Sequence, residues 1–215
     1  MRNMLGALCL TLFFMFCIGC SSNAKSTDAV SGATNVMPHS DESAYTASSN
    51  ILIILFSPAN SSTGKISNAI AGVLDAQIQS PEQIDGNDLH KYDLIGFGSG
   101  IFDQKHHASL LELADTLPFL PDKKAFIFST SGIARSSLLN DKGEPKKKNK
   151  NFSDPHTPLR ERLLSKGFDI IGEFNCVGFN DNSFLKLFGG MNKGRPNEND
   201  LRDAEIFAEE LLKNE

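Results

Sequence analysis

The segment from Asn50 to Gly72 constrains the fold more than any other part of the chain, because a strand, a loop and a helix follow one another directly. Ile51–Phe56 is apolar at every position, which is the pattern of a central parallel strand that helices cover on both faces. Apolar residues then recur at helical spacing from Ile66 onward. The segment therefore predicts the first strand–loop–helix unit of a doubly wound α/β domain.

The loop between this strand and this helix has the composition of an anion-binding site. Backbone N–H groups at the start of a helix, together with the positive end of the helix dipole, stabilise an anion without a basic side chain. Hydroxyl groups in the loop add further donors. An ordinary connection with a Ser or Thr helix cap is the alternative, and both interpretations stay open. The predicted cradle consists of Ser57, Pro58, Ala59, Asn60, Ser61, Ser62 and Thr63.

Two later strands are also predicted to end in small polar residues. Tyr92–Phe97 and Lys124–Phe128 have the apolar character of buried strands. Ligands of a doubly wound sheet bind beyond the carboxyl ends of the strands, where the strand order reverses, so the three exits should converge on one crevice. The residues predicted to line it from these two exits are Ser99, Gly100, Ile101 and Phe102, and Ser129, Thr130, Ser131 and Gly132.

From about Asn50 to the C-terminus the chain resembles the flavodoxin family, in particular compact members that carry Phe-Ser-Pro before the phosphate loop, here Phe56-Ser57-Pro58. The resemblance implies a three-layer, doubly wound α/β fold with a parallel five-stranded sheet in the order 2-1-3-4-5. It also implies that the first loop binds the phosphate of FMN and that the other two contact the isoalloxazine ring. Because the chain contains no Trp, Phe102 is the stacking candidate. Neither catalytic side chains nor metal ligands are predicted.

Further elements complete the predicted domain. His106–Asp115 and Pro158–Lys166 have helical patterns, and Phe168–Phe174 is predicted to be the last strand. The second strand is expected within Ala76–Ile84. The terminal helix is predicted to begin after Asn197 as its cap, with Asp200 three residues further on. The insertion Ile133–Thr157 is interpreted as a solvated loop.

The N-terminal residues indicate export. Residues 4–18 are apolar but short for a membrane span. They end in Cys17-Ile18-Gly19-Cys20, which resembles a bacterial lipobox and implies cleavage after residue 19 and lipidation of Cys20. A plain secretory peptide or an uncleaved anchor is the alternative. The predicted domains are a lipoprotein signal peptide (1–19), a flexible tether (20–49) and a flavodoxin-like domain (50–215).

Within the tether, residues 28–34 end in Ser31-Gly32-Ala33-Thr34. This stretch resembles the flavinylation motif of extracytoplasmic FMN-binding domains, in which a flavin transferase joins FMN through its phosphate to the Thr hydroxyl. The resemblance implies covalent FMN at Thr34, and the tether is long enough for that flavin to reach the domain's own crevice. A chance match in a linker of similar composition is the alternative.

Charge and cysteine content narrow the function. The net charge of −5 argues against nucleic-acid binding and is common in electron carriers that meet basic partners. Cys9 and Cys17 precede the predicted cleavage site and Cys20 receives the lipid, so Cys176 alone would remain and no intramolecular disulfide could form. Cys176 is interpreted as a buried small residue.

These observations predict a membrane-anchored, extracytoplasmic protein that carries electrons on FMN between redox partner proteins. One alternative is an FMN-dependent reductase of quinones or small oxidants. Another is a lipoprotein of the same fold that binds a ligand without redox chemistry, since a fold does not determine a function.

Overall fold

Strands and helices alternate along the chain from residue 50 onward. The structure, a computed structural model, describes residues 50–58, 60–138, 140, 142, 146, 153–180 and 189–213. The elements are β1 (Ile51–Phe56), α1 (Ser62–Leu74), β2 (Gln77–Gln79), two 3-10 helices (Pro81–Gln83 and Gly86–Lys91), β3 (Leu94–Phe102), β4 (Lys105–His106), α2 (Ala108–Thr116), β5 (Lys124–Ser131), α3 (Arg135–Leu138), α4 (Thr157–Ser165), β6 (Asp169–Val177) and α5 (Glu198–Lys213).

The sheet has the topology that the sequence predicts. Its parallel strands lie in the order β2-β1-β3-β5-β6, which is the predicted order 2-1-3-4-5 when β4 is set aside. The doubly wound α/β fold is therefore confirmed. β4 is an addition: it pairs antiparallel with the end of β3, where Ile101 lies opposite His106.

Apolar side chains from the two faces of the sheet enter two separate cores. Leu52 and Ile54 of β1 belong to the core under α2 and α4, whereas Ile51 and Ile53 belong to the core under α1 and α5. Because β1 is buried on both faces, every one of its positions is apolar. Continuous hydrophobicity in Ile51–Phe56 is thus the direct result of helices on both sides of the sheet.

Several element boundaries differ from the predicted ones. The helix expected at His106–Asp115 begins at Ala108, because His106 lies in β4 and the side chain of His107 caps the helix by accepting a hydrogen bond from the Ser109 N–H. β3 and β5 continue through residues that were expected to form loops. The insertion Ile133–Thr157 contains the short helix α3 and the fully buried His156, so it is not simply a solvated loop.

The predicted cap of the terminal helix is confirmed. Asn197 Oδ1 accepts the N–H of Asp200 at 3.2 Å, and the Asp200 carboxylate accepts the N–H of Asn197 at 2.7 Å. This reciprocal pair satisfies donors at the helix start that have no intrahelical acceptor.

No helix among the described residues is both long enough and apolar enough to cross a membrane. The predicted signal peptide, the lipidation residue Cys20 and the flavinylation candidate Thr34 all lie outside the described residues.

Candidate functional site

A cleft of about 590 Å³ lies at the carboxyl edge of the sheet, where the ends of β1, β3, β5 and β6 surround the start of α1. This volume is within the range of small-molecule and cofactor sites. Eleven predicted site residues line the cleft: Ser57, Pro58, Ser61, Ser62, Thr63, Gly100, Ile101, Phe102, Thr130, Ser131 and Gly132.

The remaining four predicted site residues are Ala59, Asn60, Ser99 and Ser129. Ala59 lies outside the described residues, and Asn60, Ser99 and Ser129 do not line the cleft. Ser99 and Ser129 were expected to reach the ligand from loops. They lie instead within β3 and β5, where alternation along a strand directs their side chains to the opposite face of the sheet.

The start of α1 provides backbone donors at one end of the cleft. Ser61 is the N-cap, and its hydroxyl oxygen accepts the N–H of Gly64 at 3.0 Å. The hydroxyl groups of Ser57 and Ser61 also contact each other across the loop. The N–H groups of Ser62 and Thr63 belong to the first helical turn, in which no intrahelical acceptor exists. With the helix dipole behind them, they make this end of the cleft suitable for an anion.

A buried hydroxyl pair joins two walls of the cleft. Thr63 in α1 and Thr130 in β5 are 3% and 6% exposed, and their Oγ1 atoms are 2.7 Å apart. The pair links the predicted anion-binding loop directly to the end of a neighbouring strand.

Glycines let neighbouring walls of the cleft approach each other closely. A Cβ atom on Gly178 would lie 3.0 Å from the Cβ atoms of both Ser62 and Thr130, and one on Gly132 would lie 2.7 Å from Met191 Cε. Side chains at these two positions would therefore push the walls apart or narrow the cleft.

Aromatic groups also line the cleft. Phe102 is 56% exposed although it is a large apolar residue, and it lines the cleft. Its ring meets the ring of His107 edge-on at a centroid distance of 5.5 Å, and His107 in turn stacks on Phe56. An exposed phenyl ring supported from behind by other rings can stack on a flat ligand.

Sequence reasoning missed a fourth wall, which follows β6. Gly178, Phe179 and Asn180 line the cleft, and the Ser62 hydroxyl accepts the Phe179 N–H at 2.9 Å. Asn192 holds this wall against the third one, because its amide donates to the carbonyl oxygens of Gly132 and Gly178. The signal in the sequence was Gly178 directly after the last strand, as Gly132 directly follows β5.

Beneath the cleft, on the face of α2 and α4, lies a buried polar network that sequence reasoning also missed. The Ser129 hydroxyl is 2.7 Å from His156 Nε2, and His156 Nδ1 is 3.1 Å from Glu173 Oε2. This arrangement has the geometry of a nucleophile-activating triad. However, Ser129 is fully buried and does not line the cleft, so it has no access to a substrate.

Ion pairs hold the carboxylates of this network in their charged form. Glu173 pairs with Arg135 and Arg160, and Asp154 pairs with the same two arginines. Burial acts to raise the pKa of Glu173, but hydrogen bonds from His156 and Arg160 outweigh it and hold the pKa at about 2. Burial likewise opposes ionisation of Asp154, yet its arginine partners keep the pKa well below its usual range.

The two buried imidazoles are held in their neutral form. Burial lowers the pKa of His106 well below its ordinary value, and the neighbouring His156 adds to this effect. Burial also lowers the pKa of His156, although the hydrogen bond with Glu173 opposes the shift. The rings of the two histidines lie 5.0 Å apart.

Cys176 is buried in the core under α1 and α5, as predicted. Burial raises the pKa of its thiol to about 12. Since the thiolate is the reactive form of cysteine, this residue is unreactive at neutral pH.

Comparison with known proteins agrees with the fold. The family model of the flavodoxin domain matches residues 53–164, just over half of the chain. An uncharacterized protein of Methanocaldococcus jannaschii is 42% identical over 163 residues, which cover 76% of this chain and 98% of the relative.

Solved flavodoxin structures superpose on the chain at low sequence identity. The crystal structure of oxidised flavodoxin 1 from Bacillus cereus has a TM-score of 0.54 at 16% identity, covering 78% of this chain and 99% of that one. The general stress protein 14 of Treponema denticola, solved in complex with FMN, has a TM-score of 0.51 at 14% identity, covering 75% of this chain and 99% of that one. These likenesses concern the fold, whereas the family match and the archaeal relative establish membership. The chain therefore belongs to the flavodoxin domain family.

Proposed function

We propose that this protein binds FMN in the cleft and carries electrons between redox partner proteins, anchored by lipid on the outer side of a bacterial membrane. The observation that carries the proposal is the cleft itself. It combines a helix start, whose first-turn N–H groups have no intrahelical acceptor, with an exposed, supported aromatic ring.

The chain's residues fit the phosphate of FMN without a cation. The Ser61-capped turn offers the N–H groups of Ser62 and Thr63, which match the oxygen atoms of a phosphate. The tight approach at Gly178 keeps this end of the cleft free of side-chain bulk from the fourth wall.

The aromatic part of the lining fits a flat ring. Gly100 and Gly132 let the backbone approach the ring closely, and Phe102 offers a face for stacking. When bound, FMN supplies the electron-accepting ring, while the protein supplies binding, orientation and electrostatic surroundings.

The lining of the cleft favours a carrier over a turnover enzyme. Among the described residues that line it, Asp103 alone has a side chain that could act as a general acid or base. A reductase of quinones or small oxidants would need a substrate site beside the ring, and turnover with a supplied reductant would identify one.

FMN binding can be tested by titrating the purified full chain with FMN and with riboflavin, which lacks the phosphate. We expect riboflavin to bind at least about tenfold more weakly, since hydrogen bonds to a charged group contribute about 1.5–3 kcal/mol each. Phe102→Ala should weaken FMN binding by about tenfold. Phe119→Ala is the matched control, because Phe119 is 69% exposed and precedes β5 at the opposite edge of the sheet.

Absence of flavin binding would contradict the proposal and favour a non-redox ligand. Equal affinities for FMN and riboflavin would contradict the phosphate site at α1 while leaving the ring site in place.

The proposal of lipid anchoring and covalent flavin is supported by the lipobox-like residues 17–20 and the motif at residues 28–34. Coexpression with a flavin transferase, followed by peptide mass spectrometry, tests attachment at Thr34. We expect an FMN-sized adduct that Thr34→Val removes and that the control Thr46→Val retains. Radioactive palmitate should label the wild-type protein but not Cys20→Ala; a wild-type protein without label would contradict lipid anchoring.

A further inference from the structure

We propose that His106 is a positioning residue that sets the ring-facing wall of the cleft through Ser99. His106 and Ser99 are 1% and 0% exposed, and neither lines the cleft. Ser99 nevertheless directly precedes Gly100, which does line it, and the Ser99 hydroxyl donates to the Gly100 carbonyl oxygen at 2.9 Å. The inference rests on the proposed function only in that FMN serves as the probe.

We assign the tautomer of His106 from the hydrogen bonds of Ser99. The Gly100 carbonyl oxygen can only accept, and with the single hydroxyl proton of Ser99 assigned to it, Ser99 Oγ accepts from its other two partners. These are the His107 N–H at 3.1 Å and His106 Nδ1 at 2.8 Å. His106 must then carry its proton on Nδ1, and with both lone pairs and its proton engaged, Ser99 Oγ is saturated.

This arrangement has a cost in free energy, which indicates that His106 does more than fill space in the core. His106 Nε2 is buried and has no hydrogen-bond partner among the described residues. An unsatisfied buried polar atom is unfavourable, and an apolar side chain of similar size would avoid the penalty. The imidazole supplies what an apolar side chain cannot, namely a donor that holds Ser99.

A second serine–histidine pair holds the adjacent wall, with the hydrogen bond running in the opposite direction. Ser129 is the ladder partner of Ser99 across β3 and β5, and its hydroxyl faces His156 Nε2. The Glu173 carboxylate can only accept, so neutral His156 donates its Nδ1 proton to Glu173 and its Nε2 accepts the proton of Ser129, whose Oγ also accepts from the Asn175 amide at 2.9 Å. Both strand ends that carry the ring-facing walls are thus fixed from beneath by imidazoles.

The hairpin geometry explains how His106 acts on the cleft. His106 lies opposite Ile101 in the β3–β4 pair, and Ile101, like Gly100, lines the cleft. Loss of the His106–Ser99 bond would loosen the Ser99 side chain that holds the Gly100 carbonyl, and with it the strand that carries Phe102. The effect should therefore appear in ring binding as well as in stability.

The test uses the full chain and FMN, with an isosteric rescue. In His106→Asn the side-chain amide can reproduce the Nδ1–H donor, whereas His106→Leu cannot. We expect His106→Leu to weaken FMN binding about tenfold and to shift the visible absorption bands of bound flavin, and His106→Asn to stay within about threefold of wild type. Leu211→Ala, in the core on the other face, should lower the unfolding temperature without changing FMN affinity.

The tautomer provides a readout that needs neither FMN nor a variant. In the ligand-free wild-type chain, long-range ¹H–¹⁵N correlation spectra should show His106 and His156 protonated on Nδ1 and bare on Nε2. An Nε2–H tautomer of His106, or equal weakening of FMN binding by Asn and Leu at position 106, would overturn the inference. If wild type binds no FMN, the proposed function fails, and the tautomer still decides whether His106 holds Ser99.

Discussion

The Oγ1 atoms of Thr63 and Thr130 lie 2.7 Å apart and join the first turn of α1 to the end of β5. Thr130→Val leaves the Thr63 hydroxyl buried without its partner, which should lower the free energy of unfolding by about 1–3 kcal/mol. The double variant Thr63→Val/Thr130→Val should lose less than the sum of the two single variants, because neither hydroxyl is then left unpaired. Urea denaturation of all four proteins measures this coupling, and strict additivity would contradict it.

The glycines of β3 leave room for two phenylalanine rings. A Cβ atom on Gly98 would lie 2.1 Å from Phe128 Cζ, so Gly98→Ala should lower the free energy of unfolding by about 1–3 kcal/mol or more. Gly72 in α1 is the matched control, because a Cβ atom there meets nothing within 4 Å. Gly72→Ala should raise stability by about 0.5–1 kcal/mol. If the denaturation midpoint fell by a similar amount in Gly98→Ala and in Gly72→Ala, this explanation would be contradicted.

The central parallel strands could be predicted from the sequence because they are buried on both faces. Ile51–Phe56 and Lys124–Phe128 are short apolar runs between turn residues, and helices on both faces of a sheet produce that pattern. The exits from these strands were also recognisable, because small polar residues follow each run. Ser57, Gly100 and Gly132 line the cleft for this reason.

The orientation of Ser99 and Ser129 could not be predicted from the same pattern. Gly98-Ser99-Gly100 has a loop-like composition, yet β3 continues through it because these residues pair with β5, and the next two residues of β3 pair with β4. A two-residue strand such as β4 is too short to show any periodicity. Once the strand continues, alternation directs Ser99 away from the cleft.

The buried network could not be predicted because its members are far apart in the sequence. His106, His156 and Glu173 come from a hairpin, the residue before α4 and the last strand. Tertiary packing alone brings them together, and no local spacing indicates it. The insertion that supplies His156 is rich in polar residues and has no apolar periodicity, which concealed a buried residue.

The ion pairs of Glu173 predict a large effect of removing its charge. Glu173→Gln leaves Arg135 and Arg160 facing one carboxylate instead of two, in a site where the Glu173 side chain is 16% exposed. Breaking such a partly buried network should lower the free energy of unfolding by about 2–4 kcal/mol. Asp88→Asn, which breaks the exposed pair with Lys91, is the control and should cause no measurable change. Comparable losses of unfolding free energy in Glu173→Gln and Asp88→Asn would contradict a large contribution from the ion pairs of Glu173.

Because two histidines are buried, we predict that the free energy of unfolding begins to fall at a higher pH than it would if only carboxylates titrated. His106 and His156 have pKa values lowered by burial, so the folded state binds fewer protons than the unfolded state once the pH falls below about 6.5. The free energy of unfolding should therefore be constant above about pH 7 and fall below pH 6.5, by up to about 1.4 kcal/mol per pH unit for each histidine.

At lower pH the carboxylates continue this loss of stability. The pKa of Glu173 is held at about 2, so its contribution is present above about pH 4.5 and is lost as the pH falls toward 2. Urea denaturation from pH 8 to pH 2 covers both ranges and separates them. His106→Asn should reduce the slope between pH 6.5 and pH 5, whereas His90→Asn, at an exposed position, should leave it unchanged. A flat profile between pH 7 and pH 5 would contradict neutral, buried imidazoles beneath the cleft.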